Sequence, residues 1–165
     1  MIAILHNIRS LYNVGSIFRT ADAAGVEKIY LCGITPTPID QFGKYRQQLI
    51  KVSLGAEKYV AWEKVGSASS PQATLKLIEK LKGDGCKIFA IEQSKKSIPY
   101  YKLKNLNTKK LKTALVLGNE VKGLPPSILN RADKILEIPM KGKKESLNVA
   151  VAFGIVVFSL NINLK

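Results

Sequence analysis

The chain has 165 residues, of which 46% are apolar, 7% aromatic and 23% charged. This length and composition fit one ordinary globular domain and exclude collagen-like and low-complexity chains. Twenty-six Lys and Arg residues against twelve Asp and Glu residues leave a formal net charge of +14. An excess of this size is common in proteins that meet polyanions, and solubility alone is the alternative explanation.

Signals for export, membrane insertion and metal binding are missing from the sequence. The N-terminal apolar run of four residues has no basic segment before it, unlike a secretion signal. The longest apolar stretch, residues 147–160, has the length of a buried helix and is too short to span a membrane. Cys32 and Cys86 match neither a metal motif nor a disulfide framework. We therefore expect a cytoplasmic protein with no bound metal and no membrane partner.

Six short apolar runs rich in β-branched residues recur along the chain and predict buried β-strands. They cover residues 2–5, 28–32, 58–62, 87–91, 114–117 and 135–138. Helical patterns lie between most of them. This alternation predicts one α/β domain over residues 1–165, with a mostly parallel sheet of five or six strands and helices on both faces. Ligands bind such sheets beyond the carboxyl ends of the strands.

Two helices are predicted from their spacing and end signals. The first has Asn13 as its N-cap and Gly25 as its stop. Its apolar residues at i, i+3, i+4 and i+7 are Val14, Ile17, Phe18 and Ala21. The second begins at Ser70–Pro71 and ends at Gly83. Arg19 and Asp22 share the polar face of the first helix, so a surface ion pair is one interpretation of Arg19.

The last predicted helix, residues 147–158, is apolar on nearly every face. Such a helix must be covered all round, and a small domain covers one side only. We therefore expect a homodimer, with a central position of this helix within a monomer as the alternative. Ser146 is the predicted cap, and Asn148 is the odd polar residue at the start of the helix, because a buried amide needs partners.

The loop after the fifth predicted strand reads LGNEVKGLPP over residues 117–126. Its glycines, Gly118 and Gly123, have the spacing of a P-loop, but Leu124 and Pro125 replace the Lys and the Ser or Thr of that motif. ATP binding is therefore disfavoured. The glycines permit a close approach of the backbone to a ligand, and a plain turn is the alternative.

Three segments of the chain stand out in this order: NVGSIFRTA at 13–21, LGNE at 117–120 with GLP at 123–125, and IPM at 138–140 with SLNV at 146–149. Together they resemble the three signature motifs of the SpoU-type (TrmH-like) RNA methyltransferases of the SPOUT superfamily. The resemblance spans nearly the whole chain. It implies transfer of the methyl group of S-adenosylmethionine to a ribose 2′-hydroxyl of RNA, by a homodimer with a C-terminal trefoil knot. Transfer RNA is favoured over ribosomal RNA, and a non-catalytic RNA-binding or assembly protein on the same scaffold is the alternative.

The resemblance also implies the residues of the site. It places the cofactor against Ile91, Leu117, Gly118, Asn119, Gly123, Ile138, Met140, Ser146 and Leu147. It places the reaction centre at Asn13, Arg19, Glu120, Ser146 and Asn148, with Arg19 reaching the cofactor of the other subunit. Arg19 is often given the role of general base in this family. Because guanidinium stays protonated in proteins, a grip on phosphate and on developing oxyanion charge is physically easier, and both roles stay open.

Basic residues cluster in two parts of the sequence that could hold RNA. Between Gln93 and Asn119 there is no acidic residue, and the seven cations there are Lys95, Lys96, Lys102, Lys104, Lys109, Lys110 and Lys112. They surround two tyrosines, and lysine–phosphate contact with base stacking on tyrosine is typical of RNA binding. The predicted RNA contacts are Arg19, Lys95, Lys96, Lys141, Lys143 and Lys144. A solvated lysine face is the alternative.

Two further expectations concern the chain ends and the single histidine. Many relatives carry a separate RNA-binding domain in front of the knot, whereas this chain begins directly at its first strand, so we expect the dimer surface to recognise RNA. His6 ends that strand. A neutral, hydrogen-bonded structural role is favoured for it over a role as a base, and the family motifs do not use it.

Overall fold

The computed structural model describes residues 1–105 and 111–161. Within these ranges one seven-stranded sheet has the order β3-β2-β1-β6-β4-β7-β5, and every neighbouring pair is parallel. The strands are β1 (Ile2–His6), β2 (Lys28–Cys32), β3 (Ala61–Val65), β4 (Lys87–Ile91), β5 (Ile98–Pro99), β6 (Thr113–Leu117) and β7 (Lys134–Glu137). The predicted α/β class with a parallel sheet is confirmed.

Helices cover both faces of the sheet, as predicted. They are α1 (Leu11–Ala23), α2 (Gln47–Ser53), α3 (Gln72–Gly83), α4 (Pro126–Leu129) and α5 (Val149–Asn161). One core contains buried residues of α1, α2 and α5, and the other contains those of α3 and α4. In β1, Ala3 and Leu5 face the first core and Ile4 faces the second, because successive side chains of a strand point to opposite faces. None of the described helices is both long enough and apolar enough to cross a membrane.

The sheet differs from the prediction in its number of strands and in the position of β3. The two-residue strand β5 was not predicted, because it is too short to make a periodic pattern. The predicted strand 58–62 is wrong by three residues, since β3 covers Ala61–Val65. Gly55 has a φ of +92°, and a 3-10 turn over Ala56–Lys58 follows it, so the chain becomes extended only after this turn. β3 is also an edge strand with mostly exposed side chains, so it is not buried on both faces.

Two predicted helix caps are wrong, and in each case a different nearby polar residue takes the role. Helix α1 begins at Leu11, and the side chain of Ser10 accepts a hydrogen bond from the backbone N–H of Asn13 at 3.3 Å. Helix α5 is capped by Asn148, whose Oδ1 accepts from the backbone N–H of Ala150 at 2.9 Å, and not by Ser146. The predicted end of α3 at Gly83 is confirmed.

Candidate active site

The loops that follow β4, β6 and β7 surround a cavity of about 300 Å³ at the carboxyl edge of the sheet. This volume is at the lower end of the range for small-molecule sites. All nine predicted cofactor contacts line it, namely Ile91, Leu117, Gly118, Asn119, Gly123, Ile138, Met140, Ser146 and Leu147. Three stretches that are far apart in sequence therefore meet at one place, because parallel strands end at the same edge of a sheet.

The loop between Gly118 and Gly123 is a tight turn as well as a wall of the cavity. The backbone N–H of Gly123 donates to the carbonyl of Asn119 at 2.9 Å, and Gly123 has a φ of +63°. A Cβ atom on Gly118 would lie 2.5 Å from the carbonyl carbon of Gly123, which is far inside van der Waals contact. The interpretation of these glycines as a turn is confirmed, and the close approach of their backbone to a ligand stays a prediction.

The side chain of Asn119 fixes the second half of this loop and ties it to β1. Its Oδ1 accepts from the backbone N–H groups of Val121 and Lys122, both at 3.0 Å. Its Nδ2 donates to the backbone carbonyl of Asn7 at 2.8 Å. Both the oxygen and the nitrogen of the Asn119 amide are therefore hydrogen-bonded within the protein, and these bonds hold the loop in place.

Glu120 connects the cavity to the start of α1. Its carboxylate accepts from the backbone N–H groups of Arg9 and Ser10, each at 3.0 Å, and from Nδ2 of Asn13 at 3.1 Å. The Oδ1 of Asn13 in turn accepts from Nδ2 of Asn148 at 2.9 Å. One hydrogen-bonded chain thus joins the three motif segments. Ser146, the remaining predicted member of the centre on this chain, is exposed and lines the cavity.

Glu120 is held in its ionised form. Burial alone would raise the pKa of Glu120, but hydrogen bonds from the backbone of Arg9 and Ser10 outweigh it and hold the pKa below its usual value. A carboxylate with a lowered pKa is a weak base, and its oxygens already accept hydrogen bonds from three neighbouring donor groups. The geometry therefore suits orientation of neighbouring groups better than removal of a proton.

Glu120→Gln is expected to lower the free energy of unfolding at neutral pH by roughly 1 kcal/mol. This is a low value for a charged hydrogen-bond acceptor, because the carboxylate is still in contact with water. A lowered native pKa stabilises the fold above the ordinary carboxyl pKa, and this contribution disappears as the pH falls through the native pKa. Urea unfolding of both proteins at neutral pH and in acid measures the difference, which should shrink in acid. The exposed Glu145→Gln is the matched control. A difference that stays constant with pH would contradict an ionised acceptor.

Arg19 is the one predicted catalytic residue that the fold does not bring to the cavity of its own chain. It is exposed on α1 and is not among the residues that line the cavity. Its alternative interpretation, a surface pair with Asp22, is not formed in the described part of the chain. The predicted contact with a cofactor bound by a second subunit stays a prediction.

His6 has the structural role that the sequence favoured. It is 2% exposed, and burial lowers its pKa. Its Nε2 lies 3.0 Å from Nδ2 of Asn7, and its Nδ1 lies 2.9 Å from Oγ1 of Thr74. An amide NH₂ group can only donate, so Nε2 accepts and Nδ1 carries the proton that is donated to Thr74. The ring is therefore neutral, and both of its nitrogens are hydrogen-bonded.

Sequence reasoning missed two residues that shape the site. Asn7 has a φ of +58°, and its side chain binds the backbone of Ser69 and Ile34 on either side. Glu92 lines the cavity, and its Oε2 accepts from the backbone N–H of Leu124 at 2.8 Å. Both are polar residues that directly follow a buried strand. Their position at the end of a strand was the signal in the sequence that could have identified them, because the loops that bind ligands begin at the carboxyl ends of parallel strands.

The two groups of predicted RNA-binding lysines lie in neighbouring exposed loops. Lys95 and Lys96 follow β4, and the second group follows β7; its members are Lys141, Lys143 and Lys144. A hydrogen bond of 2.5 Å from Nε2 of Gln93 to the carbonyl of Glu145 joins the loops. Tyr100 and Tyr101 form an edge-to-face pair at 5.5 Å beside them. Lys109 and Lys110 lie outside the described residues.

Comparison with known proteins gives matches over nearly the whole chain. The profile of the SpoU rRNA Methylase family matches residues 1–158. A tRNA (guanosine(18)-2'-O)-methyltransferase from Aquifex aeolicus is 35% identical over 158 residues, which cover 96% of this chain and 67% of that protein. An AdoMet-bound rRNA methyltransferase from Sinorhizobium meliloti superimposes with a TM-score of 0.84 at 27% identity, over 99% of this chain and 56% of that one.

A third likeness is to a chain of similar length. It was solved in a study of the 2-OH methylation of C/U34 on tRNA, and it superimposes with a TM-score of 0.73 at 25% identity. The match covers 99% of this chain and 95% of that one. Against the Aquifex and Sinorhizobium proteins, in contrast, this chain spans only between 56% and 67% of their length. With its profile match over residues 1–158 and its shared fold, the chain belongs to the SpoU rRNA methylase family.

Proposed function

We propose that this chain transfers the methyl group of S-adenosylmethionine to a ribose 2′-hydroxyl of RNA. The observation that carries the proposal is the single cavity in which the three motif segments meet, with Glu120, Asn13 and Asn148 joined by hydrogen bonds at its mouth. A non-catalytic RNA-binding protein has no need of such a cavity. The rival proposal therefore predicts RNA binding without binding of the methyl donor.

The residues around the cavity fit S-adenosylmethionine. Backbone of the Gly118–Gly123 loop and apolar side chains such as Met140 and Leu147 form the walls, which suits adenine and a methylsulfonium group. Glu92 and Glu137 also line the cavity and place negative charge near a cationic ligand in a strongly basic protein. When bound, the cofactor supplies an electrophilic methyl group. The same residues shield that group from water.

The polar residues at the mouth of the cavity position the ribose. A hydroxyl is a weak nucleophile, so its oxygen must be held in line with the methyl group, and its proton must pass to solvent water or to a base as the oxygen–carbon bond forms. Asn13 and Asn148 fix each other, and the ionised Glu120 fixes Asn13. We assign to Arg19 of a second subunit the contact with the adjacent phosphate and with the negative charge that develops on the oxygen. Its alternative role is that of general base.

The dimer on which this assignment depends is supported by the surface of α5. Val151 and Phe158, seven residues apart on one face of the helix, are 51% and 42% exposed. Tyr12 on the neighbouring α1 is 54% exposed. Large apolar side chains that stay exposed on two neighbouring helices favour coverage by a second subunit. The C-terminal trefoil knot that the family resemblance implies is likewise part of this proposal, and the superposition over 99% of the chain supports it.

Phe158→Glu is expected to convert the dimer to a monomer, because it buries a charge in an apolar interface. Sedimentation should give wild-type protein twice the chain mass of 18.1 kDa and the variant the mass of one chain. Methyl transfer should fall at least about a hundredfold if the site needs both subunits. Tyr59→Glu, at a side chain that is 78% exposed elsewhere on the surface, is the matched control. A monomeric wild-type protein would overturn the shared site.

Transfer of tritiated methyl from S-adenosylmethionine to total tRNA and to ribosomal RNA tests the function. We expect label in tRNA, because the Aquifex relative and the chain of similar length are both named for tRNA. Label in ribosomal RNA would instead match the name of the Sinorhizobium relative. Mass spectrometry of RNA from cells with and without the gene then locates the 2′-O-methyl nucleotide. RNA binding without cofactor binding would favour the non-catalytic alternative.

A further inference from the structure

A second cationic group lies at the carboxyl edge of the sheet, on the side of β1 away from the cavity. It belongs to the β2 loop, which we define as residues 33–46. Lys64 reaches into this loop from β3, and its ammonium donates to the carbonyl of Thr35 at 2.6 Å and to that of Gly33. Arg46 closes the loop, and its backbone N–H donates to the carbonyl of Pro38 at 2.9 Å. The fold therefore brings the ammonium of Lys64 from β3 to the loop that carries Lys44 and Arg46.

Among the described residues, no carboxylate forms an ion pair with the guanidinium of Arg46. Its Nε is buried, and it has no hydrogen-bond partner in the described part of the chain. Neither Arg46 nor Lys64 takes part in the ion pairs among the described residues. A buried charged donor without an acceptor is costly, so such a group calls for an explanation.

The two cations also act on each other. Partial removal from water lowers the pKa of Lys64, and the positive charge of Arg46 lowers it further. The charge of Arg46 therefore disfavours the charged form of Lys64, and an anion bound beside both cations would relieve this repulsion. Asp40, the acidic residue of the β2 loop, is engaged elsewhere: its Oδ1 accepts from the backbone N–H groups of Phe42 and Lys44, both at 2.9 Å.

The β2 loop is directly connected to the candidate active site. Oγ1 of Thr35 accepts from the backbone N–H of Ile8 at 3.1 Å. The next residue, Arg9, is exposed, and its backbone N–H is bound by the carboxylate of Glu120 at the mouth of the cavity. Thus a short path along the edge of the sheet leads from the cavity past Arg9 to Lys64 and Arg46.

We propose that Arg46 and Lys64 form a subsite for a backbone phosphate of the RNA, next to the nucleotide that is methylated. The inference rests on the proposed function and names where the rest of the substrate lies. Arg46 offers a planar donor fork for phosphate oxygens, and Lys64 adds a point charge. Phe42, 76% exposed at the tip of the loop that Asp40 rigidifies, offers a ring on which an unpaired base stacks.

The test measures RNA binding by fluorescence anisotropy over a series of salt concentrations, with labelled tRNA as the probe. Arg46→Ala should weaken binding about fivefold to tenfold at low salt and reduce the slope of log affinity against log salt by about 1. Lys76→Ala, at an exposed residue on the outer surface of α3, removes the same charge elsewhere and should change both values little. Calorimetry should give the same affinity for S-adenosylmethionine in all three proteins.

Arg46→Gln is the second variant, because it keeps a polar side chain at the partly buried position, and it should lose RNA affinity while melting like the wild type. Equal RNA affinity and salt slope for both Arg46 variants and for Lys76→Ala would overturn the subsite, even if wild-type protein methylates tRNA. Unfolding of both Arg46 variants would assign Arg46 a structural role and would also count against the phosphate subsite. Wild-type protein that methylates no RNA would instead overturn the proposed function.

Discussion

Arg19→Ala is expected to lower the rate of methyl transfer by about a hundredfold to a thousandfold and to leave the affinity for S-adenosylmethionine unchanged. Arg19 is exposed and lies outside the cavity of its own chain, so its truncation removes no core packing and no wall of the cofactor site. If its guanidinium stabilises phosphate and developing oxyanion charge in the partner's site, its loss should cost about a hundredfold to a thousandfold in rate. Tritiated methyl transfer measures the rate, and calorimetry measures cofactor binding.

Asp22→Ala is the matched control for Arg19→Ala. Asp22 lies on the same exposed face of α1, one turn further on, and forms no ion pair with Arg19 in the described residues. We expect its substitution to change the rate by no more than about threefold, since a surface charge one turn away acts only through screened electrostatics. Equal transfer by Arg19→Ala and wild-type protein would remove Arg19 from the mechanism.

Arg19→Lys separates the two roles that stay open for Arg19. A lysine keeps the positive charge but loses the planar fork that grips phosphate through two hydrogen bonds. If Arg19 contacts the phosphate and the oxyanion, Arg19→Lys should keep part of the activity and have a raised KM for RNA. If Arg19 is instead the general base, the rate of Arg19→Lys should rise with pH, because lysine loses its proton more easily than arginine.

The lining of the cavity was predictable from sequence because it depends on local signals. Each of the three contributing loops directly follows a buried apolar strand, and parallel strands end at one edge. Once the strands were located, the residues after them had to meet. The family resemblance then selected residues within those loops, and all nine selected residues line the cavity.

The wrong cap of α1 illustrates what local signals cannot decide. Ser10 and Asn13 are both residue types that cap helices. Ser10 takes the cap, and the amide of Asn13 is instead bound by Glu120 and Asn148, which are 107 and 135 residues away in sequence. Asn7 was missed for the same reason, since its partners are held 27 and 62 residues away. The sequence shows the residue types but not these long-range hydrogen bonds.

Gly118→Ala is expected to reduce the affinity for S-adenosylmethionine about a hundredfold or more and to destabilise the protein by about 1–3 kcal/mol, a typical cost of overpacking. The new Cβ would lie 2.5 Å from the carbonyl carbon of Gly123 and 2.7 Å from the backbone nitrogen of Leu124. Both contacts are with backbone. That backbone is held in turn, since Leu124 donates to Glu92, so it cannot move aside without deforming the wall of the cavity.

Gly142→Ala is the matched control for Gly118→Ala. Gly142 lies in an exposed loop near the cavity, a Cβ there would meet nothing within 4 Å, and its φ is outside the left-handed region. We expect its cofactor affinity to stay within about twofold of wild type, because an added methyl group in open space disturbs no packing. Calorimetry and thermal unfolding measure both variants. Wild-type cofactor affinity in Gly118→Ala would place the methyl donor outside this cavity.

Mixing the two inactive proteins tests whether the site is shared. In a heterodimer of Arg19→Ala and Gly118→Ala, one site combines an intact cavity from the first chain with an intact Arg19 from the second. The other site carries both defects. Random exchange of subunits makes half of the dimers heterodimers, so the mixture should recover about one quarter of the wild-type activity. If each site lay within one chain, the mixture would recover no activity, because every site would carry the defect of its own chain in homodimers and heterodimers alike.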